Sequence, residues 1–238
     1  MTTATSNDGV GTILLIGASR GLGLAMAADL LGRGWSVVAT VRGDAPTELH
    51  KLAERSDGRL AIERLDITEH VQIAALRDRL SGRRFDILFC NAGMANADAK
   101  QTIAEISTEE FVRVMVTNAL SPMRVIEGLQ ALVPADGLIG IMSSGQGSIA
   151  NNEKGGFELY RGSKSALNQF MRSYAARHAD EERALLLMAP GWIRTDMGGP
   201  GAPFGIEETI PAIVDTLLAQ RGEPGLRYLD RHGHTVPW

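Results

Sequence analysis

Short apolar runs alternate with amphipathic segments along nearly the whole chain. The first run, TILLIG (12–17), ends in glycine, and the next segment, GLGLAMAADLLGRG (21–34), has apolar residues at helical spacing. The alternation continues to a last run, GLRYLD (225–230). Short apolar strands are typical of parallel sheets that are buried on both faces. The pattern therefore predicts an α/β fold with a doubly wound, Rossmann-like parallel sheet and helices on both faces.

The remaining elements follow the same order. Further strands are predicted at SVVATVR (36–42), RLAIERLD (59–66), FDILFCNAG (85–93), GLIGIMSS (137–144) and ERALLLMAPG (182–191). Further helices are predicted over 48–56, 69–82, 107–133, 160–179 and 206–220. The helix 107–133 is the longest, with Ser107 or Thr108 as its cap. In such sheets ligands bind beyond the carboxyl ends of the strands, so each candidate motif can be judged by its place there.

Composition narrows the class of protein. The 238 residues are 44% hydrophobic and 22% charged, with a net charge of −4, and they predict one domain over 1–238 with a flexible segment 1–11. No long basic run is present, so neither nucleic acid nor an anionic membrane is an expected partner. Cys90 is the only cysteine, so no disulfide framework or metal cluster is expected. A polar N-terminal segment and the lack of a long apolar run predict a soluble, cytoplasmic protein.

A glycine-rich turn, GASRGLG, follows the first predicted strand directly. Its glycines, Gly17, Gly21 and Gly23, would let the backbone approach a pyrophosphate, and the next helix would present free N–H groups to it. The spacing differs from the common G-x-G-x-x-G. Tight packing of strand against helix is the alternative explanation.

The second strand ends in Val41 and Arg42. Many NAD-binding sheets have a carboxylate here for the ribose 2′-hydroxyl, whereas an arginine can bind a 2′-phosphate. Arg20 in the glycine turn could join it. NADP(H) is therefore the preferred cofactor, and NAD(H) is the alternative. In that alternative the two arginines are solvated surface charges, and Asp44 is the rival ribose ligand.

Two other strand ends carry candidate cofactor contacts. Asp66 could accept from the adenine amino group with Ile67 against the ring, although Asp66 could equally cap a helix. The run CNAG (90–93) forms a small turn at which a cofactor could pass close to the backbone. The thiol of Cys90 is expected in the core, since no histidine is near it in sequence.

Tyr160 and Lys164 are four residues apart in FELYRGSKSALNQF (157–170). On a helix they share a face, so the lysine could stabilise a phenolate for acid–base chemistry. An ordinary amphipathic helix with an exposed lysine is the alternative.

The motifs GASRGLG, CNAG, MSS, YRGSK and PGWIRTDM occur in the order found in short-chain dehydrogenases/reductases. The chain resembles this family over about residues 12–230. Its segments 147–168 and 228–238 resemble the branch that contains C-factor and sniffer-type carbonyl reductases. Two positions depart from the family pattern, because Ile16 replaces a threonine and Cys90 replaces an asparagine.

The resemblance implies a catalytic role for each of four side chains. Tyr160 would exchange a proton with the substrate oxygen, and Lys164 would lower the phenol pKa and hydrogen-bond the nicotinamide ribose. Ser144 would orient the substrate carbonyl, with Ser143 as the alternative if the register differs. Asn118 would hold a water in a relay from Lys164, or would only hydrogen-bond backbone at a helix irregularity.

The segment PGWIRTDM (190–197) resembles those that bind the nicotinamide carboxamide through Thr195 and the Ile193 backbone. The run GGPGAPFG (198–205) predicts a short mobile lid, with an unstructured connection as the alternative. The predicted cofactor site comprises Gly17, Ser19, Arg20, Gly21, Leu22, Gly23, Arg42, Asp66, Ile67, Asn91, Ala92, Gly93, Tyr160, Lys164, Pro190, Gly191, Ile193 and Thr195. The predicted substrate pocket comprises Met94, Gln146, Trp192 and Phe204, each of which could instead be plain packing.

These features predict an NADP(H)-dependent oxidoreductase that interconverts a small carbonyl compound and an alcohol. A cofactor-binding sensor or signalling protein with little turnover is one alternative, and an NAD-dependent alcohol dehydrogenase is another. The long helix and the Tyr160 helix could pair across a two-fold axis in a homodimer or homotetramer, with a monomer as the alternative.

Overall fold

The structure is a computed structural model that describes residues 11–98 and 100–238. Most of the segment predicted to be flexible, 1–11, lies outside the described residues. Its last residue, Gly11, is buried and accepts a hydrogen bond from the Ser36 N–H at 3.1 Å. The strands are β1 Thr12–Ile16, β2 Ser36–Val41, β3 Leu60–Arg64, β4 Ile87–Cys90, β5 Leu138–Met142, β6 Ala184–Ala189 and β7 Gly225–Asp230.

All seven strands pair in parallel in one sheet with the order β3-β2-β1-β4-β5-β6-β7. Each parallel crossover carries a helix, and the strand order reverses direction between β1 and β4. The predicted doubly wound α/β fold is confirmed.

Alternate residues of the central strands β1, β4, β5 and β6 enter two separate cores. In β1, Leu14 and Ile16 pack into one core, whereas Ile13 and Leu15 pack into the other. Side chains of successive strand residues point to opposite faces, so a strand with helices on both sides must be apolar throughout. This is why the first strand reads as an unbroken apolar run.

The helices are α1 Gly21–Gly32, α2 Glu48–Glu54, α3 His70–Arg79, α4 Thr108–Met115, α5 Ser121–Leu129, α6 Glu158–Arg177 and α7 Ile206–Ala219. The helix predicted over 107–133 is capped by Ser107, which accepts from the Glu110 N–H, but it is not one regular helix. A five-residue π-helical turn, Val116–Leu120, separates α4 from α5, and 3₁₀ turn Gln130–Leu132 ends the run. None of the described helices is both long enough and apolar enough to cross a membrane.

The reversal of strand order opens a crevice at the carboxyl ends of β1 and β4. Ile16 and Cys90 are paired in register at these ends. The glycine turn follows one strand and the Asn91 turn follows the other. The Asn91 side chain donates to the Gly17 carbonyl at 2.8 Å, which ties the two turns together.

Gly140 provides a test of packing between β4 and β5. A Cβ atom there would lie 2.6 Å from the ring of its register partner Phe89, which is fully buried. Gly140→Ala should therefore lower the free energy of unfolding by about 1–3 kcal/mol, as overpacking does. Gly32→Ala is the control, because nothing lies within 4 Å of its Cβ position. Urea denaturation of both variants measures the difference, and a Gly140→Ala protein as stable as the control would contradict this packing.

Candidate active site

The predicted catalytic side chains come from three elements that meet at the carboxyl end of the sheet. Ser144 follows β5, Tyr160 and Lys164 lie on α6, and Asn118 lies in the π-helical turn. Lys164 is buried, donates from Nζ to the Met142 carbonyl at 2.9 Å, and lies 6.0 Å from the centre of the Tyr160 ring. The alternative of an exposed lysine on an ordinary amphipathic helix is wrong.

The two adjacent serines have different surroundings. Ser143 is buried and donates to Asn168 Oδ1 at 2.6 Å. Ser144 is half-buried and lies within hydrogen-bonding reach of the Tyr160 phenol. The geometry therefore favours Ser144 over Ser143 as the partner of Tyr160.

Burial dominates the electrostatics of this pair. It raises the pKa of Tyr160, while the hydrogen bond from Ser144 acts in the opposite direction. It lowers the pKa of Lys164 to about 8, while the neighbouring Cys90 raises it. The net direction for Tyr160 in the protein alone is therefore upward, and the lowering of the phenol pKa that is expected from Lys164 together with an oxidised nicotinamide stays a prediction.

Asn118 is held firmly by the turn that precedes α4. Its Oδ1 accepts from the Met94 N–H at 2.8 Å, and its Nδ2 donates to the Met94 carbonyl at 2.7 Å and to Ser163 Oγ at 3.0 Å. The expected backbone contacts at a helix irregularity are therefore present. A Cβ atom at Gly93 would lie 3.4 Å from Asn118 Oδ1 and 3.5 Å from Lys164 Nζ, so both side chains border the same small space.

The glycine turn has the shape that a dinucleotide phosphate needs. Gly17 and Gly21 have φ values of 86° and 57°, and a Cβ atom at Gly23 would lie 2.2 Å from the Gly17 carbonyl. These conformations and this close approach favour glycine, and they leave backbone N–H groups open at the start of α1. Thr40 Oγ1 accepts from the Gly17 N–H at 2.9 Å, so a hydrogen bond to the turn is present although Ile16 replaces the family threonine.

The charged residues near the end of β2 are not equally available to a ligand. Within the part of the chain that the structure describes, exposed Arg42 makes no ion pair. Asp44 is paired with Arg64 at 2.6 Å, and Arg20 is paired with Asp196 at 2.9 Å across the crevice. A free cation at this strand end fits a 2′-phosphate better than a ribose diol.

Asp66 does not cap a helix. Its Oδ1 accepts from Thr68 N–H at 2.9 Å and from Thr68 Oγ1 at 2.7 Å, which closes a turn, whereas Glu69 is the N-cap of α3. Ile67 is buried in the core. One oxygen of Asp66 is therefore committed to the turn, and Oδ2 is left for other contacts.

The segment after β6 is tied at both ends. Ile193 and Phe204 form an isolated parallel bridge, and the Arg194 N–H donates to the Phe204 carbonyl at 2.8 Å. Thr195 Oγ1 accepts from the Gly198 N–H at 3.0 Å, and its methyl group lies 4.0 Å from the Cβ position of Gly21. The alternative of an unstructured connection is wrong, because these bonds define the loop that faces the glycine turn.

Most of the predicted cofactor residues follow strands at one edge of the sheet. The carboxyl ends of neighbouring parallel strands lie side by side, and they carry Gly17, Ser19, Arg20, Gly21, Leu22 and Gly23 after β1, Arg42 after β2, Asn91, Ala92 and Gly93 after β4, and Pro190, Gly191, Ile193 and Thr195 after β6. Their predicted contacts with a cofactor stay predictions.

The four predicted pocket residues differ in what they offer a substrate. Gln146 Oε1 is buried and has no hydrogen-bond partner among the described residues. Trp192 is 56% exposed and donates to the Gly198 carbonyl at 2.7 Å. Phe204 lies beneath the Arg231 guanidinium at 4.0 Å, and the backbone of Met94 is held by Asn118. Gln146 therefore offers the clearest free polar group.

The sequence-based reasoning missed three residues of this region. Thr40 supports the glycine turn, Asp196 pairs with Arg20, and the Tyr228 hydroxyl donates to the Ser144 carbonyl. A single polar residue inside the apolar run SVVATV was the available signal for Thr40. The other two contacts join positions far apart in the chain, and no local pattern indicates them.

Comparison with known proteins decides the family. Residues 17–215 match the sequence model of a family described as enoyl-(acyl carrier protein) reductase. The fold also matches a solved short-chain dehydrogenase/reductase from Burkholderia multivorans with bound NADP, at 66% identity and a TM-score of 0.95, over 96% of this chain and 99% of that chain. The chain belongs to the short-chain dehydrogenase/reductase family. The protein is an oxidoreductase of this family.

Further matches confirm the narrower resemblance. A carbonyl reductase from Pseudomonas aeruginosa PAO1 in complex with NADP is 35% identical, with a TM-score of 0.88, over 96% of this chain and 99% of that chain. The carbonyl reductase Sniffer of D. melanogaster is 27% identical, with a TM-score of 0.85, over 96% and 99%. The C-signal of Myxococcus xanthus is 31% identical over 155 residues, which are 64% of this short-chain dehydrogenase/reductase and 92% of the C-signal.

Lys164 makes stability depend on pH in a defined direction. Because burial lowers its pKa from 10.5 to about 8, the unfolded chain binds a proton between these values that the folded protein does not. Relative to Lys164→Met, the stability of the wild type should therefore rise across this window and stay level below it. Urea denaturation of both proteins at about pH 7, 8, 9 and 10 measures the difference. A difference that falls over the window, or does not change, would contradict the lowered pKa.

Proposed function

We propose that this protein is an NADP(H)-dependent carbonyl reductase or alcohol dehydrogenase that interconverts a small carbonyl compound and an alcohol. The observation that carries the proposal is the convergence of three groups. The Tyr160 phenol lies beside the Ser144 hydroxyl, and the buried ammonium of Lys164 lies 6.0 Å from the phenol ring. A pure binding module has no need of a hydroxyl pair with a buried cation behind it.

NADP(H) fits the residues that surround the crevice. The glycine turn would hold its pyrophosphate, the polar groups beside Gly93 its nicotinamide ribose, and Arg42, which is unpaired among the described residues, its 2′-phosphate. Two similar structures with NADP support this choice. When bound, the cofactor supplies or accepts the hydride.

The side chains of the protein would then manage the proton and the substrate oxygen. Because burial raises the pKa of Tyr160, its phenol is protonated at neutral pH and can donate to a carbonyl oxygen as that oxygen becomes an alkoxide. Ser144 would donate a second hydrogen bond to the same oxygen and hold it near Tyr160. Lys164 is cationic at neutral pH, because its pKa is about 8. Its charge would favour the phenolate that remains after donation.

The relay beyond Lys164 is also a proposal. Asn118 Oδ1 accepts one backbone hydrogen bond and keeps a second acceptor position. It borders the same space at Gly93 as Lys164 Nζ. A water held there would return a proton to Tyr160 through Lys164.

Two alternative functions predict different experimental results. The C-signal relative favours a signalling protein with little turnover, and the absence of reduction across a panel of aldehydes and ketones would support that reading. An NAD-dependent alcohol dehydrogenase would bind NADH more tightly than NADPH. The expected partner is a small carbonyl or alcohol molecule, and a homodimer or homotetramer stays a prediction.

Tyr160→Phe tests the proton donor. The variant keeps the ring and loses the hydroxyl, so kcat with NADPH and 4-nitrobenzaldehyde should fall by roughly 10²–10⁴-fold, with little change in NADPH affinity. Tyr174→Phe is the matched control on the same helix, because its hydroxyl donates to Gln130 Oε1 at 2.6 Å and belongs to no part of the site. Near-normal turnover of Tyr160→Phe would remove tyrosine from the mechanism.

Substitutions of the two serines should have different effects, one on kcat and the other on the free energy of unfolding. Ser144→Ala should lower kcat by roughly 10²-fold or more, because the substrate oxygen loses one hydrogen-bond donor. Ser143→Ala should keep most of kcat but lower the free energy of unfolding by about 1–3 kcal/mol, because it leaves buried Asn168 Oδ1 without its 2.6 Å donor. Steady-state kinetics and urea denaturation give both values, and the opposite ranking of kcat would move the orienting role to Ser143.

Arg42 tests the cofactor preference. A charge-assisted contact contributes about 1.5–3 kcal/mol, so NADPH should bind the wild type roughly 10–150-fold more tightly than NADH. Arg42→Asp should reverse this preference, because a carboxylate repels the 2′-phosphate and accepts from a free 2′-hydroxyl. The substitution belongs at 42, since Val41 is only 5% exposed and lies in the core.

Fluorescence titration with both cofactors measures these affinities. Lys51→Ala is the control, because Lys51 is an exposed cation nearby that is already paired with Glu48. Tighter binding of NADH by the wild type would exclude the NADP assignment and return Asp44 as the ribose ligand.

A further inference from the structure

Tyr228 contacts the loop of the candidate site from a distant part of the chain. It lies in β7, is 1% exposed, and its hydroxyl donates to the carbonyl of Ser144. The same carbonyl also accepts from the Gly147 N–H at 2.8 Å. The backbone at Ser144 is therefore held from two sides, by its own turn and by the last strand of the sheet.

A small buried polar cluster surrounds this hydroxyl. Burial raises the pKa of Tyr228 to about 12, while the neighbouring polar side chains of Asn168 and Ser143 act in the opposite direction. The phenol therefore stays a neutral hydrogen-bond donor throughout the working pH range. Asn168 also donates to the Gly147 carbonyl at 3.2 Å, so the cluster reaches the far end of the same 3₁₀ turn, Gly145–Gly147.

The segment that follows β7 holds the next part of the loop. The carbonyl of Trp238 accepts from the Ala150 N–H at 2.9 Å and from Ser148 Oγ at 3.3 Å. Its ring lies 5.3 Å from the Tyr228 ring and is covered by the Arg172 guanidinium at 4.5 Å. The contacts of Tyr228 and Trp238 are thus adjacent along the loop and adjacent in space.

The proposed chemistry requires a precise position of the Ser144 hydroxyl. Ser144 can share an oxygen with Tyr160 only when its hydroxyl is held within a few tenths of an ångström. Among the described residues, the one N–H that donates to its half-buried side chain is that of Gln146, at 3.2 Å, in the same short turn. A second, rigid anchor is therefore needed, and β7 supplies it.

We propose that Tyr228 is a positioning residue for Ser144, and that Trp238 supports it by fixing the Tyr228 ring and the loop 148–150. The assignment rests on the proposed function, in which Ser144 orients the substrate oxygen. Tyr228 touches neither substrate nor cofactor in this role. It acts only through the Ser144 backbone.

A double-mutant cycle tests the assignment. Tyr228→Phe should lower kcat for NADPH-dependent reduction of 4-nitrobenzaldehyde by roughly 10-fold or more, with the NADPH dissociation constant unchanged. In a Ser144→Ala background the same substitution should have no further effect on kcat, because the group that it positions is gone. Single-turnover measurements give the rate constant of the chemical step in both backgrounds, free of product release. Equal fold losses in the two backgrounds would overturn the proposal.

Tyr174→Phe is the matched control for a general loss of packing. Tyr174 is equally buried and also donates one hydrogen bond, to Gln130, outside the site. It should lower stability about as much as Tyr228→Phe while leaving kcat unchanged. A kcat loss in Tyr174→Phe equal to that in Tyr228→Phe would reduce Tyr228 to a structural role.

A crystal structure of the Tyr228→Phe variant tests the positioning role of Tyr228 independently of any activity measurement. The Ser144 hydroxyl should move away from the Tyr160 phenol, while Tyr160 and Lys164 keep their places. An unmoved Ser144 would overturn the proposal. Wild-type turnover in Ser144→Ala would instead contradict the proposed function, and the structure of the variant would still report on the role of Tyr228.

Discussion

The parallel pairing of β1 with β4 is the constraint on which the candidate site depends. Their register aligns Ile16 with Cys90, so the two following turns begin at the same level of the sheet. The Asn91 side chain then bonds the Gly17 carbonyl, and Gly93 follows within reach of both Asn118 and Lys164. A slip of this register by one residue would reverse the faces of the side chains and separate the phosphate turn from the catalytic groups.

Burial has two opposing consequences in this crevice. It removes Lys164 from water and partly removes Tyr160, which lowers the pKa of the lysine to about 8 and raises that of the phenol. The protein alone therefore favours a protonated tyrosine, which suits donation to a carbonyl oxygen. A phenolate needs added positive charge nearby, so the protonation state of Tyr160 would respond to whatever occupies the crevice. The sheet and its helices fix the positions of the catalytic groups, and the low polarity around the site strengthens the electrostatic interactions between them.

The fold could be predicted from the sequence because its strands are apolar on both faces and its helices are amphipathic. All seven strands were placed, and six predicted helices cover the seven observed ones, with ends that differ by a few residues. The long helix 107–133 was predicted without its interruption, a π-helical turn in which Asn118 accepts a hydrogen bond from the Met94 N–H. Such a bond joins distant positions and leaves no periodic signal.

The candidate site was predictable to the extent that its residues follow strand ends in recognisable motifs. The hydrogen-bond and ion-pair partners of these residues could not be predicted from the sequence. Pairing of Asp44 with Arg64, of Arg20 with Asp196 and of Tyr228 with the Ser144 carbonyl depends on tertiary distances. The direction of the Tyr160 pKa also depends on burial, whereas the sequence indicated only a nearby cation.

The central claim is that a hydride passes between a nicotinamide and a carbonyl carbon while Tyr160 handles the proton. Reduction of 4-nitrobenzaldehyde with NADPH deuterated at both hydrogens of the nicotinamide C4, followed by mass spectrometry and NMR of the alcohol, tests it most directly. One deuterium bound to the product carbon is predicted, and unlabelled NADPH in heavy water should place none there. Deuterium from the solvent on that carbon, or no alcohol from any member of the carbonyl panel, would contradict the account.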